Sequence, residues 1–339
     1  MARFPRASDR RHGVRRRARC PLDRATRRLT QTASDLHPLQ VTPMKDPTLS
    51  RRTLLAAAAA GVAAAGSRPQ GAQAAASSAS SFRALRYETR GPVCVITLGR
   101  PEDDNVLDAA TLRELPLAWE AFRADDALRV AIFTGAGDEA FCGGVDVTDI
   151  RSAPAPRYLK RDEGVRTYTS KQNKCWKPVI AAINGFVAGP GLHFLLDADI
   201  CIAVPEATFF DVHLHRTGSV PVFEPIELSR KIPAEAVSRL FLLGPHDPLT
   251  AQRAAALGLI SEVVPRARLM PRALEMAQQI AQVDLNLTTA FVEAHYKARE
   301  LGVTEAINRG LIIRQATGYH DAPLKDRPLR ALAVPGSKL

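Results

Sequence analysis

Two glycine-rich bends constrain this chain more than any other feature. The first runs Gly135-Ala136-Gly137-Asp138-Glu139-Ala140-Phe141-Cys142-Gly143-Gly144-Val145-Asp146-Val147 and follows a β-rich stretch over 129–134. The second runs Ala181-Ala182-Ile183-Asn184-Gly185-Phe186-Val187-Ala188-Gly189-Pro190-Gly191-Leu192-His193 and follows a short apolar strand over 178–183. Each leaves a strand through glycines that bring backbone N–H groups to a surface, the geometry that a developing oxyanion needs. Around them, Val93–Leu98 reads as a strand and 108–123 as a helix N-capped by Asp108. Residues 156–176 have polar helical character, and 199–204 and 208–212 read as strands. After Ala234 the periodicity predicts helices over 234–243, 250–257, 266–282, 286–300 and 303–317. Strands alternating with helices, followed by a helical tail, give an α/β core with an appended α-helical region.

The formal charge of +11 invites a nucleic-acid partner until its distribution is read. Of 46 Lys+Arg and 35 Asp+Glu, 15 and 4 lie in residues 1–76, leaving 31 of each in the body. The folded part is formally neutral, and the basic pI gives it no polyanion partner. Within the leader, Ser50-Arg51-Arg52-Thr53-Leu54-Leu55 runs into an alanine-rich apolar stretch and a small-residue site at Ala72-Gln73-Ala74. That order resembles a twin-arginine export signal, starting at Met44 and 31 residues long to Ala74, preceded by a basic extension over 1–43. The apolar run is too short to cross about 30 Å of hydrocarbon, so a cleaved signal is expected and not a membrane anchor. The competing locations are mitochondrial, since residues 1–43 are arginine-rich and acid-poor, and cytoplasmic. Domain organisation follows: extension 1–43, signal 44–76, core 77–265, helical region 266–339.

Several familiar chemistries have no starting residue. Gly135–Ala140 matches the dinucleotide pattern GxGxxA, but it runs into a further turn where a Rossmann unit needs a helix. There is no Walker loop, GxSxG elbow or HExxH. Five cysteines without a CxxC pair indicate neither a disulfide framework nor a zinc finger, and those of the body read as small buried hydrophobes.

The bends belong to a longer set of landmarks. Leu98-Gly99-Arg100-Pro101 leads to Asn105-Val106-Leu107, then come Phe141-Cys142-Gly143-Gly144-Val145-Asp146 and Ala181-Ala182-Ile183-Asn184-Gly185 with Asp199-Ile200. Leu249-Thr250-Ala251-Gln252-Arg253-Ala254 and Leu257-Gly258-Leu259-Ile260 close the set. From about Phe82 to Tyr319 the chain resembles the enoyl-CoA hydratase/isomerase, or crotonase, superfamily. The resemblance implies a crotonase-like spiral of ββα units with a C-terminal α-helical trimerisation region, assembling as a homotrimer or hexamer. It implies an acyl-CoA or related thioester as substrate, with CoA part of the substrate and no separate cofactor. The thioester oxygen, becoming enolate-like, would be held by two backbone N–H groups.

By that resemblance the first donor is the N–H of Val145, beside Gly144. The second falls on Pro190, which has no N–H, with the neighbouring N–H of Gly191 as a substitute after a register shift. Hydratases place two glutamates 20 residues apart, where this chain has His193 and His213. Imidazoles titrate near neutrality and transfer protons, so isomerase, lyase or hydrolase chemistry is expected in place of ordinary hydration. Glu224 is a reserve carboxylate in a segment where relatives carry further acid–base groups. Glu102, Asp103 and Asp104 stand where relatives often place a basic residue for CoA phosphates, and acid there repels phosphate. Two alternatives stay open. One is a catalytically inactive binding protein of the same fold. The other is a metal-dependent variant in which Asp211, His213 and His215 alternate along one strand face with His193 completing the set, although Asp211 could equally orient an imidazole.

Overall fold

A computed structural model describes residues 82–146, 149 and 168–318. The leader, the residues beyond 318 and most of the segment 156–176 lie outside them; where that segment is described, over 168–176, it forms turns and not a helix.

The apolar runs become the centre of a six-stranded sheet. Its strands are β1 (Leu85–Arg90), β2 (Val93–Leu98), β3 (Val130–Gly135), β5 (Val179–Ile183), β7 (Ile200–Ala203) and β10 (Glu262–Val263), in that spatial order. Only β1 is antiparallel to its neighbour. Every residue of β2, β3 and β5 is buried, the pattern of parallel strands covered on both faces. A second sheet holds β4 (Ala140–Cys142), β6 (Phe186–Ala188), β8 (Thr208–Phe210) and β9 (Leu249–Thr250). β3 feeds β4, β5 feeds β6 and β7 feeds β8, each through a turn that moves the chain from the large sheet to the small one. That passage, with a helix following β6 and another following β8, is the spiral of ββα units expected above.

The first helix, α1 (Ala109–Ala124), starts where the sequence places it. The Asp108 side chain accepts from the Thr111 N–H at 2.7 Å, and Asp149 accepts from Ala109 N. Leu112, Leu115, Trp119 and Phe122 form its buried stripe. At its far end Lys177 Nζ donates to the carbonyls of Phe122 and Asp125 at 2.9 and 2.8 Å. Burial holds that ammonium below its usual pKa. Two short helices, α2 (Leu192–Asp197) and α3 (Phe223–Leu228), follow the second and third units. Then come α4 (Ala234–Leu243), α5 (Ala251–Ala256), α6 (Arg266–Ala281), α7 (Leu285–Ala298) and α8 (Val303–Ala316), close to the expected bounds. α6 covers β2, β3, β5 and β7, whereas α8 buries none of its residues.

The aromatic core fixes α2. Phe194 stacks on Phe133 with centroids 4.3 Å apart and meets Phe141 edge-on, and Phe133 in turn stacks on Trp119. With Phe194 locked there, the neighbouring His193 must face another direction.

One strand ends earlier than its sequence predicts. β8 stops at Phe210, and His213–Thr217 forms a π-helical turn. The Asp211 carboxylate explains the break: Oδ1 accepts from the His213 N–H at 2.8 Å, a local side-chain bond that competes with the ladder. Asp211, His213 and His215 therefore do not share a strand face.

Candidate active site

Two asparagines build the first bend. Asn105, buried and held at φ +52, donates from Nδ2 to the carbonyls of Ala136 and Ala140 at 2.9 and 2.8 Å. Asn184 accepts from Gly135 N at 3.1 Å and donates to the Gly137 carbonyl at 2.8 Å. Both landmark asparagines thus clamp the same turn. Gly185 has no freedom to change, because a Cβ there would lie 2.1 Å from the Glu139 carbonyl oxygen. The bend leads into β4 and not into a helix, so the GxGxxA pattern is a structural turn.

Beyond β4, Leu107 N donates to Gly144 O at 2.7 Å and Asp146 N donates to Leu107 O at 3.1 Å. This parallel bridge spends the groups flanking Val145 and directs the N–H of Val145 itself away from Leu107. Gly144, at φ +102, brings the bend against the second one: a Cβ there would stand 3.3 Å from Ala188 O and 3.6 Å from Pro190 Cδ. Cys142 also lies at this junction, and a Cβ on Gly191 would sit 3.0 Å from its Cβ. Complete burial pushes the Cys142 thiol up to about 12, so it is a packing group and not a nucleophile.

The second bend is a single 3-10 turn, Gly189–Gly191, that opens α2. Pro190 occupies a first-turn position, where a missing N–H costs the helix nothing. The i→i+3 pattern of such a turn sends the Gly191 N–H back to the Ala188 carbonyl. Gly189, at φ +48, gives the approach on the other side: a Cβ there would be 3.8 Å from His213 Cε1 and 3.9 Å from Asp211 Oδ2.

Each of the two histidines has its own carboxylate. His193 Nε2 lies 2.9 Å from Glu224 Oε1, joining α2 to α3, with the two side chains 1% and 2% exposed. Tyr168 meets the His193 ring edge-on at 6.0 Å. His213 Nδ1 lies 2.8 Å from Asp211 Oδ2, with the imidazole 21% exposed over a carboxylate that is fully buried. A hydrogen bond at Nδ1 orients the ring and leaves Nε2 as the atom that exchanges protons. The reserve carboxylate Glu224 is therefore a direct partner of His193, a pairing 31 residues apart that no local spacing signals.

The metal set does not assemble. His215 turns outward, with Nε2 3.0 Å from the Leu242 carbonyl and its ring 5.3 Å from that of His246, and Asp211 is committed to His213. Among the described residues no group of three or more His, Cys, Asp or Glu could hold a metal ion. Glu102 and Asp103 lie on a 3-10 turn, where Arg100 pairs with Asp103 and, at 2.9 Å, with Asp108. Cys94, Cys142, Cys175 and Cys201 are free and buried. Among the described residues no helix is long and apolar enough to cross a membrane. The sequence reading passed over two carboxylates near His193: Asp197, which ends α2, and Glu227, on α3. The signal for Asp197 was a carboxylate ending the apolar run Leu192-His193-Phe194-Leu195-Leu196, four residues after His193.

Comparison with known proteins agrees with this architecture. A family model described as enoyl-CoA hydratase/isomerase matches residues 88–316. An (E)-benzylidenesuccinyl-CoA hydratase of Thauera aromatica is 32% identical over 234 residues, covering 67% of this chain and 86% of the relative. A carnitinyl-CoA dehydratase of Proteus mirabilis (strain HI4320) is 34% identical over 226 residues, covering 66% and 84%. Among solved structures, an enoyl-CoA hydratase/isomerase from Mycobacterium paratuberculosis superposes with a TM-score of 0.63 at 33% identity, covering 70% of this chain and 90% of that one.

Proposed function

The chain belongs to the enoyl-CoA hydratase/isomerase family, and from that premise we propose that it is an enzyme that moves protons on an acyl thioester through two imidazole–carboxylate pairs. The thioester oxygen is held by the N–H of Val145 as negative charge develops on it. His213, oriented by Asp211, removes a proton beside the carbonyl, and His193, backed by Glu224, is its acid–base partner. Returning the proton to a different carbon is isomerisation; losing a group from the β-carbon is a lyase reaction. The observation that carries this reading is the pairing of both histidines with buried carboxylates on either side of the Gly189–Gly191 turn.

One amide donor in place of two lowers the stabilisation available, since removing an oxyanion donor typically costs about 3–4 kcal/mol. That same feature favours a second reading, a binding protein of the family that has lost turnover. Assaying acyl-CoA thioesters for isomerised, hydrated or dehydrated product, alongside calorimetric titration, separates the two. Turnover that disappears in His213→Gln supports the enzyme; binding without product in the wild type supports the second reading.

Assembly as a homotrimer or hexamer through the C-terminal helices belongs to the same proposal. It is supported by the apolar side chains that α7 and α8 leave exposed, Phe291, Val303, Ile307 and Ile312. Light scattering of the purified chain tests it. Export through the leader is proposed on the sequence pattern, and N-terminal sequencing of the mature protein decides it: a first residue upstream of Met44 refutes it.

A further inference from the structure

The turn that carries His213 is shaped by local bonds. Asp211 holds the His213 N–H and ring, while the His213 carbonyl accepts from the Gly218 and Ser219 N–H groups and from the Thr217 hydroxyl. Bonds within one short segment give it a form and leave its seat on the protein to other contacts. Single π-helical turns are frequent at functional sites, so what seats this one bears on the histidine it presents.

His215, two residues on, makes a bond that leaves the turn. Its Nε2 lies 3.0 Å from the Leu242 carbonyl, and because a carbonyl only accepts, that nitrogen carries the proton. Leu242 is in the last turn of α4, where the carbonyls have no partner within the helix, so the imidazole caps α4 from outside. The ring is seated as well as bonded. Gly244, at φ +52, closes α4 without a side chain: a Cβ there would stand 2.6 Å from His215 Cδ2 and 2.7 Å from the Asp211 carbonyl oxygen. His246, on the 3-10 turn Gly244–His246, meets the His215 ring edge-on with centroids 5.3 Å apart. The end of α4 therefore bears on Asp211 and on His215 at once, the residues that flank His213 in the chain.

We infer that His215 is a positioning residue for His213: by capping α4 and filling the seat beside Gly244 it fixes the π-helical turn, and with it the His213 ring, against the Gly189–Gly191 bend. The approach there is close, since a Cβ on Gly189 would be 3.8 Å from His213 Cε1. A misplacement of about 1 Å costs on the order of 10²-fold in rate. His215 acts only through the turn. The inference rests on His213 being the base, as proposed above, and its test separates the two.

The test compares His215→Ala and His215→Gln with the wild type in the full chain, because a glutamine amide donates to the Leu242 carbonyl and an alanine methyl does not. On a responsive acyl thioester His215→Ala should lower kcat about tenfold or more with little change in KM, and His215→Gln should recover most of the loss. In parallel, the His213 ring Cε1–H resonance, identified by its loss in His213→Gln, should broaden in His215→Ala and sharpen again in His215→Gln. A wild type that turns over no thioester defeats the reading of His213 as base and leaves the resonance to decide the anchoring. An unbroadened His213 resonance in His215→Ala overturns the inference, as does a kcat equal to that of the wild type or a loss that His215→Gln does not recover.

Discussion

The two histidine pairs are alike in chemistry and unlike in depth. His193 and Glu224 are sealed, 1% and 2% exposed and held between two helices; His213 stands 21% exposed over the buried Asp211 at the end of a strand. The sealed pair is shielded from bulk water, whereas the half-open ring can exchange its proton with solvent. Depth also sets what each pair contributes to folding, because a hydrogen bond broken in the interior leaves an unsatisfied polar group, whereas one at a surface is replaced by water.

The largest effect should come from the half-open pair. His213→Gln is expected to lower kcat on the responsive acyl thioester about 10²- to 10⁴-fold with little change in melting temperature. Equal stability losses in His213→Gln and His193→Gln would erase the distinction between the pairs. Asp211→Asn should cost one to two orders of magnitude, roughly the scale of losing a group that orients a functional imidazole, and should change the pH profile of kcat. An unchanged profile would mean that Asp211 only shapes the turn.

At the sealed pair the expected effect is on folding. Glu224→Ala removes the carboxylate that His193 Nε2 meets in the interior and should lower unfolding free energy by about 1–3 kcal/mol in denaturant titration. A loss within error would show that water reaches His193, and that the pair is not sealed.

The smallest effect concerns Glu227, beside the sealed pair. Burial, and secondarily the negative charge of Asp197, raise its carboxyl pKa in the fold above the unfolded value of 4.5, while His193 opposes the shift. The folded state therefore binds the proton more tightly, and this contribution is fully present below pH 4.5 and lost as pH rises through the folded pKa. Glu227→Gln should raise the melting temperature at neutral pH relative to wild type and make little difference below pH 4. The opposite order would place Glu227 in a stabilising ion pair.

Much of the architecture was legible in the chain because it depends on local pattern. Val93–Leu98 and the run 178–183 appear as strands where their unbroken apolar character places them, and Asp108 caps α1. Short elements such as β4 and β9 escaped, since two or three residues have no periodicity to read. The strand expected to reach Val212 ended at Phe210 because one carboxylate bonded its own backbone two residues on.

For the site, the sequence by itself determined the residue types: a proline between two glycines at 189–191, and two imidazoles 20 residues apart at His193 and His213. It also contained the Asp211–His213 pair, whose members are two residues apart and can meet by local geometry. Only the tertiary structure decided that Glu224 reaches His193 and that His215 turns away. The reason is range: a contact across 31 residues depends on how α2 and α3 pack, and that packing is set by the core around Phe133 and Phe194 and not by the residues that meet.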